Sequence, residues 1–252
     1  MSDDGVVTTE GLADRAGAVV LCEHASCAFP LRFGDLGLSA EARISHAAWD
    51  PGALELARAL AATLEAPLVH SQVSRLLYDC NRPPEAPGAI LEKSERFEVP
   101  GNRGLDAKAR AARVREIYQP FCAEVDRVMQ VARPEVLITM HTFTPVYNGQ
   151  HRAVEIGVLH DADSRLADVL LALAGPAPKY DLRRNAPYGP LDGVTHSLKL
   201  HGMERGLLNV MIEVRNDLVA TPQGLAEVSG WLNPLLARAV RQASAAAVGG
   251  AG

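Results

Sequence analysis

Apolar residues in this chain gather into short unbroken runs and into helix-spaced stripes, and the two kinds of segment alternate. Residues 136–140 form one such run, which stops abruptly at His141 and then at the turn-forming Thr144 and Pro145. A run of that length with Thr139 as its one hydroxyl reads as a strand buried on both faces. Residues 17–22 repeat the form and lead into Glu23 and His24, and residues 207–214 enclose the single acid Glu213. Shorter strands are expected at 67–70, at 74–84, where Pro83 and Pro84 close the run, and at 153–159.

Between these runs lie the stripes. From Pro51 onward Leu54, Leu56, Ala57, Leu60, Ala61 and Leu64 recur at helical spacing, with Asp50 just outside the first turn near the N-cap. A short helix is expected over 39–45 with Ser39 as its N-cap, a long one over 106–129 interrupted near Pro120, and one over 164–174 opened by Ser164. A last helix spans 221–247 with Pro234 near its middle. Segments 83–104 and 180–202 lack periodicity; the first reads as an active-site flap or a solvated loop. The alternation predicts one α/β domain over 1–252, a mostly parallel mixed central sheet with helices on both faces. The ends, 1–15 and 244–252, are expected to be flexible.

With 252 residues the chain can bury a large core, and a net charge of −5 without a Lys/Arg cluster leaves no electrostatic footprint for nucleic acid or an anionic membrane. No apolar run reaches the length of a membrane span. The acidic start, Met1 to Gly5, is no secretory signal, so a cytoplasmic protein is expected. Cys22, Cys27, Cys80 and Cys122 show no C-x-x-C spacing and read as buried thiols.

Three strand ends deliver His24, His141 and Glu213, and in open α/β sheets ligands bind beyond the carboxyl ends of the strands. Neutral imidazoles suit zinc, and a catalytic site needs three protein ligands with an open fourth position. No local spacing supplies the third ligand; Asp50 is preferred, although its carboxylate could serve equally as an N-cap. Glu23 is set aside, because neighbours in an extended segment point to opposite sides. Glu213, a charge inside an apolar strand, is the candidate general base. Arg75, Asn81 and Arg82 supply donors for a substrate carboxylate, which a guanidinium binds through two parallel hydrogen bonds. Asn185, Tyr188 and His196 are candidate pocket residues.

Taken together, Glu23-His24-Ala25-Ser26, Ala48-Trp49-Asp50-Pro51-Gly52-Ala53, Ser74 through Arg82, Met140-His141-Thr142-Phe143-Thr144, Asn185-Ala186-Pro187-Tyr188-Gly189 and Ile212 through Asp217 resemble the N-formylglutamate amidohydrolase family. The resemblance runs from first strand to last. It implies a hydrolase fold of the zinc carboxypeptidase and aspartoacylase type, binding one Zn²⁺ per chain. It implies cleavage of the N-acyl bond of a small acidic N-acyl amino acid such as N-formylglutamate. On that reading His24 and His141 match the metal histidines, Asn81 and Arg82 the pair on the substrate carboxylate, and Glu213 the catalytic glutamate. Arg82 and Glu213 form the expected catalytic pair. Two rival readings keep the same residues: a zinc carboxypeptidase-like hydrolase of another amide, and a non-catalytic binder of acidic ligands.

Overall fold

The computed structural model describes residues 5–249. The strands are β1 (Val7–Glu10), β2 (Ala18–Cys22), β3 (Leu68–Ser71), β4 (Lys93–Ser94), β5 (Phe97–Glu98), β6 (Val136–Phe143), β7 (Val146–Tyr147), β8 (Gln150–His151), β9 (Ile156–Leu159), β10 (Leu182–Arg184) and β11 (Leu208–Arg215). The α-helices are α1 (Ala40–Ile44), α2 (Ala53–Leu64), α3 (Ala107–Arg113), α4 (Gln119–Ala132), α5 (Arg165–Ala174) and α6 (Pro222–Gly249). Seven strands form one mixed sheet in the order β1-β3-β2-β6-β11-β9-β10. Its centre, β3-β2-β6-β11, is parallel, while β9 runs antiparallel to β11 and β1 to β3.

Alternation along the central strands sorts side chains between two layers. Ala18, Val20 and Cys22 of β2, Val136, Ile138 and Met140 of β6, and Val210, Ile212 and Val214 of β11 pack with α2, α5 and α6. The intervening positions, such as Val19, Leu21 and Leu137, face α4 and the loops that follow β3. Both faces are therefore covered, and the strands read as continuous apolar runs. Ser39 caps α1 by accepting from Ala42 N, and Asp106 caps α3 by accepting from Ala109 N. The long helix is interrupted as expected: Val114–Tyr118 forms a π-helical turn just before Pro120, whose missing N–H and ring prevent a regular ladder.

Three segments differ from the sequence reading. Residues 74–84 are a series of turns instead of a strand, because their polar side chains hold the backbone locally. Ser74 Oγ donates to Ala48 O and accepts from Leu76 N, and Asp79 Oδ1 accepts from Asn81 N. Leu76, Leu77 and Tyr78 are all buried. Within the leader, Val7–Glu10 is an ordered edge strand, held by β3 and by Arg58 and His70 on Glu10. Residues 1–4 and 250–252 lie outside the described residues. The aperiodic 83–104 segment carries the β4-β5 ribbon and buries Ile90, Phe97, Val99 and Asn102, whose amide donates to Leu76 O and Leu91 O. It is packed against the domain.

Candidate functional site

β2 lies between β3 and β6, so successive crossovers leave it in opposite directions, and the crevice beyond the carboxyl ends of β2 and β6 is a topological switch point. The register fills that crevice with polar groups. Leu21 pairs with Thr139, His141 with Glu213, and Glu213 with Gly157. Glu23 continues β2 by one residue, so Glu23, His141, Glu213 and Gly157 stand abreast on one face of four adjacent strands. His24 lies past the end of β2, where alternation no longer governs direction. Its carbonyl accepts from Asp50 N at 2.9 Å, which brings the residues before α2 to the same point.

Three ligand atoms converge there. Asp50 Oδ2 is 3.2 Å from His24 Nδ1 and 3.0 Å from His141 Nδ1, and the two Nδ1 atoms are 3.1 Å apart. Ring protons cannot satisfy such a triangle, since at least one nitrogen must face another atom with nothing to share. Three ligands about 2.0–2.1 Å from one tetrahedral cation would be about 3.4 Å apart, close to the observed edges. The donor set of two imidazoles and a carboxylate, all buried, therefore could hold a divalent metal ion.

Each imidazole presents Nδ1 to the triangle because its Nε2 is taken up by a carboxylate. His24 Nε2 is 2.7 Å from Asp79 Oδ1, and His141 Nε2 is 3.1 Å from Glu23 Oε2, an ionic contact without hydrogen-bond alignment. Arg75 ties the group together, donating to Asp79 Oδ2 at 2.7 Å and to Asp50 Oδ1 at 3.4 Å. Burial, the largest influence on both rings, favours neutral imidazole. Even so, Asp79 and Asp50 outweigh it and Arg75 at His24, and Glu23 and Asp50 outweigh it at His141, so both sit above the usual histidine value, His141 well above. The site thus carries surplus negative charge that favours a cation at its centre. Burial also lifts Glu213 to about 7, against the pull of His141 and with Asp50 adding to the rise, and its Oε2 has no hydrogen-bond partner among the described residues.

Of the residues read from sequence, His24, Asp50, His141 and Glu213 come together, and Arg75 joins them through its carboxylates. Asn81 is spent on structure: its amide donates to Val194 O and its carbonyl accepts from Ser197 N, anchoring the 193–197 loop. Arg82 donates to Gly193 O and borders a cavity of about 420 Å³ with His196 and Lys199. Asn185 adopts φ 46° and turns its side chain to His160 N. Tyr188, three residues on, is near the charges of both Glu213 and Arg75. Burial and Glu213 push its hydroxyl to about 12, while Arg152, which donates to it at 2.8 Å, acts the other way. Glu23, set aside as a metal ligand, and Asp79 stand outside the triangle, each against the Nε2 of one imidazole.

A model of the N-formylglutamate amidohydrolase family matches residues 16–220. No curated protein matches the chain. Among solved structures, the gene product Atu2144 from Agrobacterium tumefaciens is 49% identical over 96% of this chain and 97% of its own, with a TM-score of 0.91. An N-formylglutamate amidohydrolase from Ralstonia eutropha JMP134 shares the fold at a TM-score of 0.68 with 18% identity, covering 96% of this chain and 99% of that one.

Proposed function

Because this chain belongs to the N-formylglutamate amidohydrolase family, a family of hydrolases, we propose that it hydrolyses the N-acyl bond of an acidic N-acyl amino acid, with N-formylglutamate the leading candidate. The observation that carries this reading is the triangle of His24 Nδ1, His141 Nδ1 and Asp50 Oδ2 beside the unpartnered Glu213. We assign a zinc ion to His24, Asp50 and His141, where it would supply Lewis-acid polarisation and a lowered pKa for water. The remaining work falls to side chains of this chain.

Glu213 Oε2 is the proton acceptor for the attacking water and afterwards returns the proton to the departing amine nitrogen. A carboxyl poised near 7 suits both steps, since a general base works best with a pKa close to the operating pH. Asp79 and Glu23 fix the ring orientation of His24 and His141, as carboxylates commonly do behind metal-binding imidazoles. Arg82, which makes no ion pair with a carboxylate among the described residues and borders a cavity, is assigned to a carboxylate of the substrate. Arg75 is held by Asp79 and Asp50, and so ties together the carboxylates that orient the site.

The test is glutamate release from N-formyl-L-glutamate by purified protein, with zinc supplied and with zinc removed by a chelator. Release that disappears on chelation and returns with zinc is expected, and His141→Ala should abolish it. Zinc bound without release would move the search to other N-acyl acids, while no zinc bound would favour a non-catalytic binder of acidic ligands.

A further inference from the structure

Arg152 follows the short β7-β8 hairpin, and its guanidinium is caged by aromatic rings. It lies 4.5 Å from the Tyr147 ring centroid, 4.8 Å from that of Tyr188 and 5.7 Å from that of Phe143. Nη1 donates to Tyr188 Oη at 2.8 Å and reaches Thr144 O at 3.5 Å. Nothing else engages it: among the described residues Nε and Nη2 make no hydrogen bond, and no carboxylate lies within ion-pair distance. Its neighbours differ. Arg75 is paired with Asp79 and Asp50, and Arg215 with Glu155 and Asp217. Aromatic faces steady a guanidinium without neutralising it, so the cage leaves a preorganised cation with open donors.

The cage adjoins the candidate active site. Phe143 is two residues beyond His141 on β6 and so shares its face, about 7 Å further along the strand. Tyr188 belongs to the loop whose Ala186 carbonyl covers Gly157, the residue that pairs with Glu213. Arg82 enters from the other side, through the turn carrying Asp79. Two arginines without carboxylate partners among the described residues thus belong to segments that adjoin the triangle, Arg82 by way of Asp79 and Arg152 by way of Phe143 and Tyr188.

We propose that Arg152 is a specificity-determining residue that binds the side-chain carboxylate of the substrate, making the enzyme selective for dicarboxylic over neutral N-acyl amino acids. The assignment rests on the hydrolase reading above. The α-carboxylate adjoins the scissile amide, whereas Arg152 packs on Phe143, which stands a dipeptide step along β6 from His141, a position suited to a group several bonds away. An open guanidinium edge offers that group two parallel hydrogen bonds.

The test uses substrates that differ only at that end, N-formyl-L-glutamate and N-formyl-L-glutamine. Charge-assisted pairs of this kind are worth about 30- to 100-fold in kcat/KM, and the wild-type protein is expected to prefer the glutamate substrate by that factor. Arg152→Gln should bring the ratio close to one, mainly through KM, and Arg152→Lys, which keeps charge without the fork, should fall between. An unchanged ratio, or an equal loss on both substrates as a purely structural role would give, overturns the proposal. If the wild type cleaves neither substrate, the assignment of N-formylglutamate as substrate fails by itself, and calorimetric binding of glutarate to the zinc-loaded protein decides the role of Arg152. Binding weakened about 30-fold by Arg152→Gln upholds carboxylate recognition; no binding, or binding indifferent to the change, refutes it.

Discussion

Gly157 is the smallest residue at the site, and replacing it with alanine tests the packing that positions Tyr188. A Cβ at 157 would lie 2.1 Å from Ala186 O and 2.8 Å from Leu159 Cδ1. The leucine methyl can swing away, but the carbonyl belongs to backbone. It must withdraw by about 0.9 Å merely to reach the 3.0 Å that Cβ atoms essentially never undercut. Tyr188 lies two residues along the same loop, so its 2.8 Å contact with Arg152 would stretch or break. Overpacking of this kind costs about 1–3 kcal/mol of stability. A displacement near 1 Å at a substrate-positioning group can cost about 100-fold in rate. Urea unfolding should therefore show a lowered midpoint with an unchanged slope, and kcat/KM on N-formyl-L-glutamate should fall by one to two orders of magnitude. Wild-type kinetics in Gly157→Ala would show that the 185–188 loop does not order the site.

Other consequences follow from named contacts. Asp79→Asn keeps the shape of the side chain but removes the charge behind His24 Nε2 and Arg75, so zinc affinity should drop about 10- to 100-fold in competition with a chromogenic chelator; unaltered affinity would remove Asp79 from its orienting role. His201 is buried, and burial, aided by Arg205, lowers its folded pKa to about 4 from the usual histidine value near 6.5. The unfolded chain takes up that proton first as pH falls, so this stability is intact above about pH 6.5 and is lost toward pH 4, to the extent of about 3 kcal/mol. Urea midpoints measured across that window should fall less steeply in His201→Gln than in wild type, and parallel curves would contradict the assignment.

What the sequence made legible follows physical range. His141 and Glu213 stood out because a polar residue ending or interrupting a doubly buried strand needs a reason, and the sheet then placed them in direct register. Asp50 was visible from the turn before a helix, though its contact with both imidazoles was not. Glu23 was set aside as a ligand and stands outside the triangle, but alternation along the strand points it at His141, while His24 turns in beyond the strand end. The turns over 74–82 imitate a strand because Leu76, Leu77 and Tyr78 are apolar in succession, and only the side-chain bonds of Ser74 and Asp79 break the pattern. Arg152 had no signal at all, since its cage joins residues 143, 147 and 188. Periodicity reports elements, and register reports what they bring together.

The central claim is that a metal held by His24, Asp50 and His141 works with Glu213 as the proton-transfer group. Its most direct test is the zinc content and the N-formyl-L-glutamate turnover of Glu213→Gln, measured on one preparation beside wild type. Zinc near one per chain in both proteins, with kcat lower by about 10²- to 10⁴-fold in the variant, is the predicted result. Turnover close to wild type in a variant that still binds zinc would contradict it.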